Sequence, residues 1–255
     1  MNLIPSQIYF YGLYSWLILS FVTFLFLLLF KPATYGRHIR DQRLTISNKW
    51  GWFIMELPTF LIIPIFLMFS DKSVNLVTIC FISLYVIHYI NRVFVFPFRL
   101  NTKEKKIPLL IVISAIFFNL VNVFFIGYYF GNFATGYDLG WLYSPQFISG
   151  FALFLAGAYI NNQSDSILIN LRKESESGYK IPHGGLFKYV SCPNHLGEII
   201  EWIGFAILTW SLPGLAFALW TIANLLPRAI SHHIWYKKEF ENYPVNRKVI
   251  IPFIL

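Results

Sequence analysis

Seven apolar stretches, most of them close to the ~20 residues that carry an α-helix across a bilayer, confine this chain to an all-α membrane fold. They fall at residues 9–30, 52–69, 74–96, 107–130, 146–169, 196–210 and 213–226. The last two are short and are parted by Ser211-Leu212-Pro213, where proline ends one helix and starts the next, so they read as a helical hairpin. The sixth helix is expected to begin near Asn194 and the seventh to run on past Arg228. Only 13% of the 255 residues are charged and 56% are hydrophobic, whereas a soluble domain carries about a quarter charged residues. The first stretch has no basic n-region and is too long for a signal-peptide core, so it is expected to remain as a helix. With no repeat, low-complexity tract or long linker, residues 1–255 read as one seven-span domain.

The basic residues alternate from loop to loop. Arg37, Arg40, Arg43 and Lys49 follow the first stretch, and only Lys72 follows the second. Arg99, Lys103, Lys105 and Lys106 come next, then no basic residue over 131–145. Arg172, Lys173, Lys180 and Lys188 follow, none lies in 211–213, and Lys237, Lys238, Arg247 and Lys248 close the series. The positive-inside rule then places the N-terminus outside or lumenal and the C-terminus in the cytosol. A net charge of +8 has no soluble basic domain to carry it, so nucleic acid is not an expected partner. The expected residence is the endoplasmic reticulum membrane in a eukaryote and the inner membrane in a bacterium.

Polar residues inside these stretches are expensive in lipid and mark function or pairing. Asn194, Glu198 and Glu201 fall at i, i+4 and i+7, one polar stripe on a helix that continues as FAILTW. Glu56 lies on the second helix, Tyr85, Tyr89 and Arg92 on the third, Asn161 and Asp165 on the fifth, and Arg228, His232 and Tyr236 on the seventh. With the orientation above, all sit just under the cytosolic surface, which predicts one water-accessible cavity. Arg92, Arg172, Lys180 and Arg228, with Arg37 and the lysines at 103–106, would rim it and suit a large anionic ligand with more than one phosphate. Interhelical clamps are the structural alternative. Gly184-Gly185 after Pro182 reads as a tight turn, not a dinucleotide fingerprint on a βαβ unit. His232 and His233 face apart on a helix, no HxxxH or HExxH occurs, and Cys80 and Cys192 form no CxxC pair, so no metal or disulfide framework is expected.

Six blocks carry a resemblance: KPATYGRH (31–38), WFIMELPTF (52–60), HYINRVFVFPF (88–98), INNQSDSILINLRK (160–173), GGLFKYVSCPNHLGEIIEWIG (184–204) and FENYPVNRKVIIPFIL (240–255). In order and over nearly the whole chain they resemble the steroid 5α-reductases, the 3-oxo-5α-steroid 4-dehydrogenases. The resemblance implies a seven-helix membrane enzyme that uses NADPH to saturate the Δ4 double bond of a 3-oxo-steroid such as testosterone or progesterone. It puts the cofactor residues on Trp52, Arg92, Asn161, Asp165, Arg172, Tyr179, Lys180, Asn194, Glu198, His232 and Tyr236, mostly within residues 146–255. Arg228 joins them as a cation on a helix within the apolar zone. The catalytic carboxyl and phenol fall on Glu56 and Tyr89. Lys180 stands where relatives commonly carry arginine, which keeps the charge and loses the two-pronged fork. Met55 and Ser114 stand where the best-known animal members carry glutamine and arginine; with Phe118 they are the expected substrate contacts.

Enone reduction fits these groups. Hydride added to C5 builds negative charge on the carbonyl oxygen, and a neutral donor pair aimed at that oxygen stabilises it. Either the Tyr89 phenol or a protonated Glu56 can donate. The apolar remainder is expected to hold a rigid four-ring substrate that arrives through lipid, in a protein acting as a monomer. A membrane methyltransferase of the isoprenylcysteine type, a non-catalytic sterol-binding protein, and reductases of polyprenol or enoyl-thioester substrates are the other readings.

Overall fold

The computed structural model of the protein describes residues 4–30, 44–70, 74–100, 105–174 and 179–255, apart from the side chains of 172–174. Its long helices are α1 (Ser6–Leu29), α2 (Asn48–Met68), α3 (Leu76–Arg99), α4 (Leu109–Phe133), α5 (Pro145–Glu174), α6 (Pro193–Thr209) and α7 (Leu212–Glu239). The helix starts follow local chemistry. Asn75 accepts a hydrogen bond from the Thr78 N–H at 2.9 Å to cap α3, and Ser211 accepts one from the Gly214 N–H at 3.2 Å to cap α7. Among the described residues, α1 to α4 and α7 are long and apolar enough to cross a membrane. This is an integral membrane protein built of helices. α6 has 17 residues, about 25 Å of helix, and α5 is interrupted by polar side chains; neither meets that criterion.

The fold divides into two compact units. The first comprises residues 1–16 and 34–148 and the second residues 17–33 and 149–255. In the first, two three-residue strands pair antiparallel, β1 (Thr45–Ser47) with β2 (Lys106–Pro108), in the register Thr45↔Pro108, Ile46↔Ile107 and Ser47↔Lys106. Strands this short leave no alternating pattern to read, and neither was expected from the residue pattern. They fix the start of α2 beside the start of α4, so the two helices run in the same direction at matched depth. Gly51 lies under Ile107, where an added Cβ would come within 2.4 Å of Cγ2, and Met55 packs with Ile107 and Val112. Farther along, Gly127 sits against Phe66 in the same way. α1 is held to α4 by the Tyr9 hydroxyl, which donates to the Phe125 carbonyl at 2.6 Å, and by Trp16 Nε1, which donates to Asn122 Oδ1 at 3.2 Å.

The third helix departs from the expected regular span. α-Helical to Ile90, it passes through a π turn at Asn91–Val95 and resumes for Phe96–Arg99. α4 likewise closes in a π turn, Tyr129–Phe133. Such turns gather at functional sites, and here one carries Arg92.

In the second unit α5 and α6 touch backbone to backbone. A Cβ on Gly150 would lie 2.3 Å from the Leu208 nitrogen, on Gly157 2.2 Å from the Glu201 nitrogen, on Gly197 2.4 Å from the Asn161 nitrogen, and on Gly204 2.4 Å from the Phe154 nitrogen. Glycines seven residues apart on both helices remove the side-chain layer, as small residues do where membrane helices pack closely. α6 and α7 form the expected hairpin through Trp210 and Ser211. The Gly184-Gly185 turn is present, with φ of +94° and +49°. After α7 the chain returns to the entrance of α6: the Ser191 and Cys192 N–H groups donate to the Lys248 and Val249 carbonyls at 2.9 and 3.2 Å.

Candidate active site

The first unit assembles a carboxyl, a guanidinium and two phenols on α2 and α3. Glu56, mostly buried, points Oε1 toward Arg92 Nε at 3.8 Å. The Arg92 guanidinium lies over the Trp52 ring at 4.8 Å and the Phe96 ring at 5.0 Å, so its flat face is covered by aromatic carbon. Trp52 meets Phe96 edge-on at 5.5 Å. The Tyr85 and Tyr89 rings stand 4.7 Å apart, both buried. Three of the residues expected here, Trp52, Glu56 and Arg92, are therefore in direct company, and Tyr89 lies on the same helix as Arg92, paired with Tyr85.

A residue that the sequence reading passed over completes the group. Asn119 on α4 is buried, and its Nδ2 donates to the Met55 carbonyl at 2.7 Å and to Glu56 Oε2 at 3.0 Å. Two asparagines three residues apart, Asn119 and Asn122, in an otherwise apolar run were the available signal, since an amide in lipid needs partners. Met55 is buried in the α2–α4 seam. Ser114 is exposed and its hydroxyl donates back to the Leu110 carbonyl at 2.8 Å. Phe118 is half-buried, with its ring 6.0 Å from Trp16.

The second unit gathers the polar residues of α5 and α6. Asn161 Nδ2 donates to the Asn194 carbonyl at 2.9 Å and reaches Glu198 Oε2 at 3.5 Å, and Asn194 Nδ2 donates to Asp165 Oδ1 at 3.2 Å. The glycine contact makes this possible, because Gly197 lies directly against the backbone of Asn161. Glu201, expected on the same stripe, is buried one turn deeper. On α7, Arg228 is buried, His232 places its ring 5.7 Å from that of His195, and Tyr236 stacks on Tyr243 at 5.3 Å and 9°. Tyr179 meets Trp235 edge-on at 5.0 Å and, like Lys180, is exposed. The side chain of Arg172 lies outside the described residues, as do Arg37 and Lys103. Also unforeseen is a buried cluster in which Ser191 Oγ stands 2.6 Å from both His233 Nδ1 and the Tyr243 hydroxyl.

Comparison with known proteins meets this geometry. The sequence profile of the family described as 3-oxo-5-alpha-steroid 4-dehydrogenase matches residues 105–255. The chain is 40% identical over 243 residues to a steroid 5-alpha-reductase of Solanum lycopersicum, covering 93% of each. It is 44% identical over 227 residues to 3-oxo-5-alpha-steroid 4-dehydrogenase 1 of Rattus norvegicus, covering 88% of this chain and 86% of that protein. The human protein of the same name is 41% identical over 226 residues, or 87% of this chain and 86% of its own. The chain belongs to the 3-oxo-5-alpha-steroid 4-dehydrogenase family. Within a 3-oxo-5-alpha-steroid 4-dehydrogenase the two groups above divide naturally by chemistry. The Glu56 group offers a carboxyl and phenols, and the Asn161 group offers amides and carboxylates suited to hydroxyls and carboxamides rather than to phosphate.

Proposed function

We propose that this protein reduces the Δ4 double bond of 3-oxo-Δ4-steroids to 5α-reduced 3-oxo-steroids, with NADPH as the hydride donor. The observation that carries this reading is the mostly buried Glu56 carboxyl on α2, beside Arg92 and bonded to Asn119, in a chain of this family. NADPH suits the donor set. Asn161, Asp165, Asn194 and Glu198 pair amides with carboxylates, which bind ribose hydroxyls and a carboxamide, and Arg92, Lys180 and Arg228 supply cations for phosphate. Trp52, Arg172, Tyr179, His232 and Tyr236 complete the cofactor set by resemblance. When bound, the cofactor supplies the hydride that goes to C5.

The protein's own residues then act on the carbonyl. Tyr89 and a protonated Glu56 donate hydrogen bonds to the 3-oxo oxygen and stabilise the charge that grows on it, and a solvent-derived proton delivered to C4 completes the reduction. Aromatic and aliphatic side chains, with Met55 and Phe118 among them, keep water from the ring system, and the steroid enters from lipid. All seven helices span the membrane in this reading, with the N-terminus outside and the C-terminus cytosolic, in the endoplasmic reticulum membrane of a eukaryote or the inner membrane of a bacterium.

The test is direct. Purified protein in detergent is given NADPH, and absorbance is followed with and without testosterone or progesterone. Steroid-dependent oxidation with a 5α-reduced product is expected. Glu56→Ala and Tyr89→Phe should each lower kcat by about 10²–10⁴ while leaving NADPH affinity nearly unchanged. A doubly substituted enzyme with near-native turnover would rule out the assignment, and tight binding of S-adenosylmethionine would favour the methyltransferase reading.

A further inference from the structure

One oxygen of Glu56 is held by α4. Oε2 accepts a hydrogen bond from Asn119 at 3.0 Å, well inside hydrogen-bond range, whereas Arg92 Nε stands 3.8 Å from Oε1, beyond it. Asn119 is itself fixed. Its Nδ2 carries two hydrogens, one directed to Glu56 and the other to the Met55 carbonyl at 2.7 Å. A carbonyl only accepts, so the nitrogen and not the amide oxygen must face α2, which settles the orientation of the side chain. The arrangement depends on the strand pair, which starts α2 and α4 side by side and brings position 119 level with positions 55 and 56.

We propose that Asn119 is a positioning residue for the reduction: it anchors the Glu56 carboxyl through Oε2, so that the protonated group meets the substrate carbonyl already aimed. A carboxyl without the Asn119 anchor would swing about its last torsion and spend most of its time misaimed, which lowers the rate of the chemical step rather than the binding of either partner. This inference rests on the assignment of Glu56 to carbonyl activation.

The competing role is a clamp between α2 and α4 through the Met55 carbonyl alone, and a double-substitution cycle separates the two. Asn119→Leu, nearly isosteric, and Asn119→Ala, which cannot overpack, are made in the native enzyme and in Glu56→Ala. Steady-state reduction of a 3-oxo-Δ4-steroid, NADPH titration and thermal melting are measured for each. In the native background kcat should fall about 10- to 100-fold, the scale of a misaimed catalytic group, with steroid KM and NADPH affinity within about twofold. In Glu56→Ala the same change should cause no further loss of turnover, while the melting temperature falls in both backgrounds through the lost bond to the Met55 carbonyl. An equal fold-loss of kcat in both backgrounds, or no loss in the native one, overturns the proposal. Native turnover by Glu56→Ala alone instead removes the carbonyl-activation reading on which it stands.

Discussion

Replacing Gly157 by alanine should part α5 from α6 and scatter the Asn161 group. The added Cβ would lie 2.2 Å from the Glu201 nitrogen, 2.6 Å from the Gly197 oxygen and 2.7 Å from the Glu201 Cα, all backbone atoms that cannot rotate away. Ordinary contact begins near 3.5 Å, so the helices must separate locally by about 1 Å. Asn161 to Glu198 is already at 3.5 Å and is lost at once, and the 2.9 Å bond to the Asn194 carbonyl stretches past useful length. Overpacking costs about 1–3 kcal/mol and each lost hydrogen bond about 1 kcal/mol. Relief of glycine's backbone entropy returns roughly 0.5–1 kcal/mol, leaving a net destabilisation of about 2–4 kcal/mol. At roughly 2–4 °C per kcal/mol for a chain of this size, the melting temperature in nanodiscs should drop by about 5–15 °C. NADPH affinity should fall with it. Gly12→Ala is the control, because its Cβ meets only a Phe125 ring carbon at 3.6 Å. If Gly157→Ala melts like Gly12→Ala and binds NADPH normally, the backbone contact is not what assembles this group.

NADPH should bind more tightly than NADH, since Arg92, Arg172 and Lys180 offer cations to a 2′-phosphate at about 1.5–3 kcal/mol per shielded contact; equal affinities by titration would contradict this. Asn162 begins a formal Asn-Gln-Ser glycosylation site on α5, yet the positive-inside orientation puts it on the cytosolic side. It should stay unmodified in a eukaryotic host, and a glycan found there by mass spectrometry would invert the topology. Ser191→Ala should leave His233 and the Tyr243 hydroxyl buried without their shared partner, lowering stability by about 1–3 kcal/mol in a melting assay. An unchanged melting temperature would show that the cluster contributes nothing to holding the tail.

Much of the site was legible because lipid makes polar residues conspicuous. Glu56, Arg92, Asn161 and Glu198 stand out in apolar runs, and helical spacing alone puts Asn194 and Glu198 on one face. What escaped depends on which helix lies beside which. The loop charges start α2 and α4 on the same side, but nothing in the order of residues says that the two helices are neighbours, so Asn119 had no visible partner until the β1–β2 pair set the register. The glycines at 150, 157, 197 and 204 repeat every seven residues, but a glycine states only that something approaches closely, not what. The Ser191, His233 and Tyr243 side chains are far apart in the chain and meet only because the tail folds back.

The π turn at Asn91–Val95 has a consequence for insertions and deletions. Such a turn accommodates one residue more than a regular helix would over the same length, and so resets the angular phase of everything beyond it by about 100°. In α3 Phe81, before the turn, packs against Phe130 and Tyr137, whereas Phe94 within the turn and Phe96 and Phe98 after it pack onto Phe53, Phe60 and Trp52 of α2. Loss of one codon within 91–95 would give a helix with every backbone hydrogen bond intact and all its apolar residues retained. Its two halves would nonetheless be keyed to the wrong neighbours, and Arg92 would no longer lie between Trp52 and Phe96. The extra residue is thus a frame marker: the helix tolerates substitution along most of its length far better than it tolerates being one residue shorter.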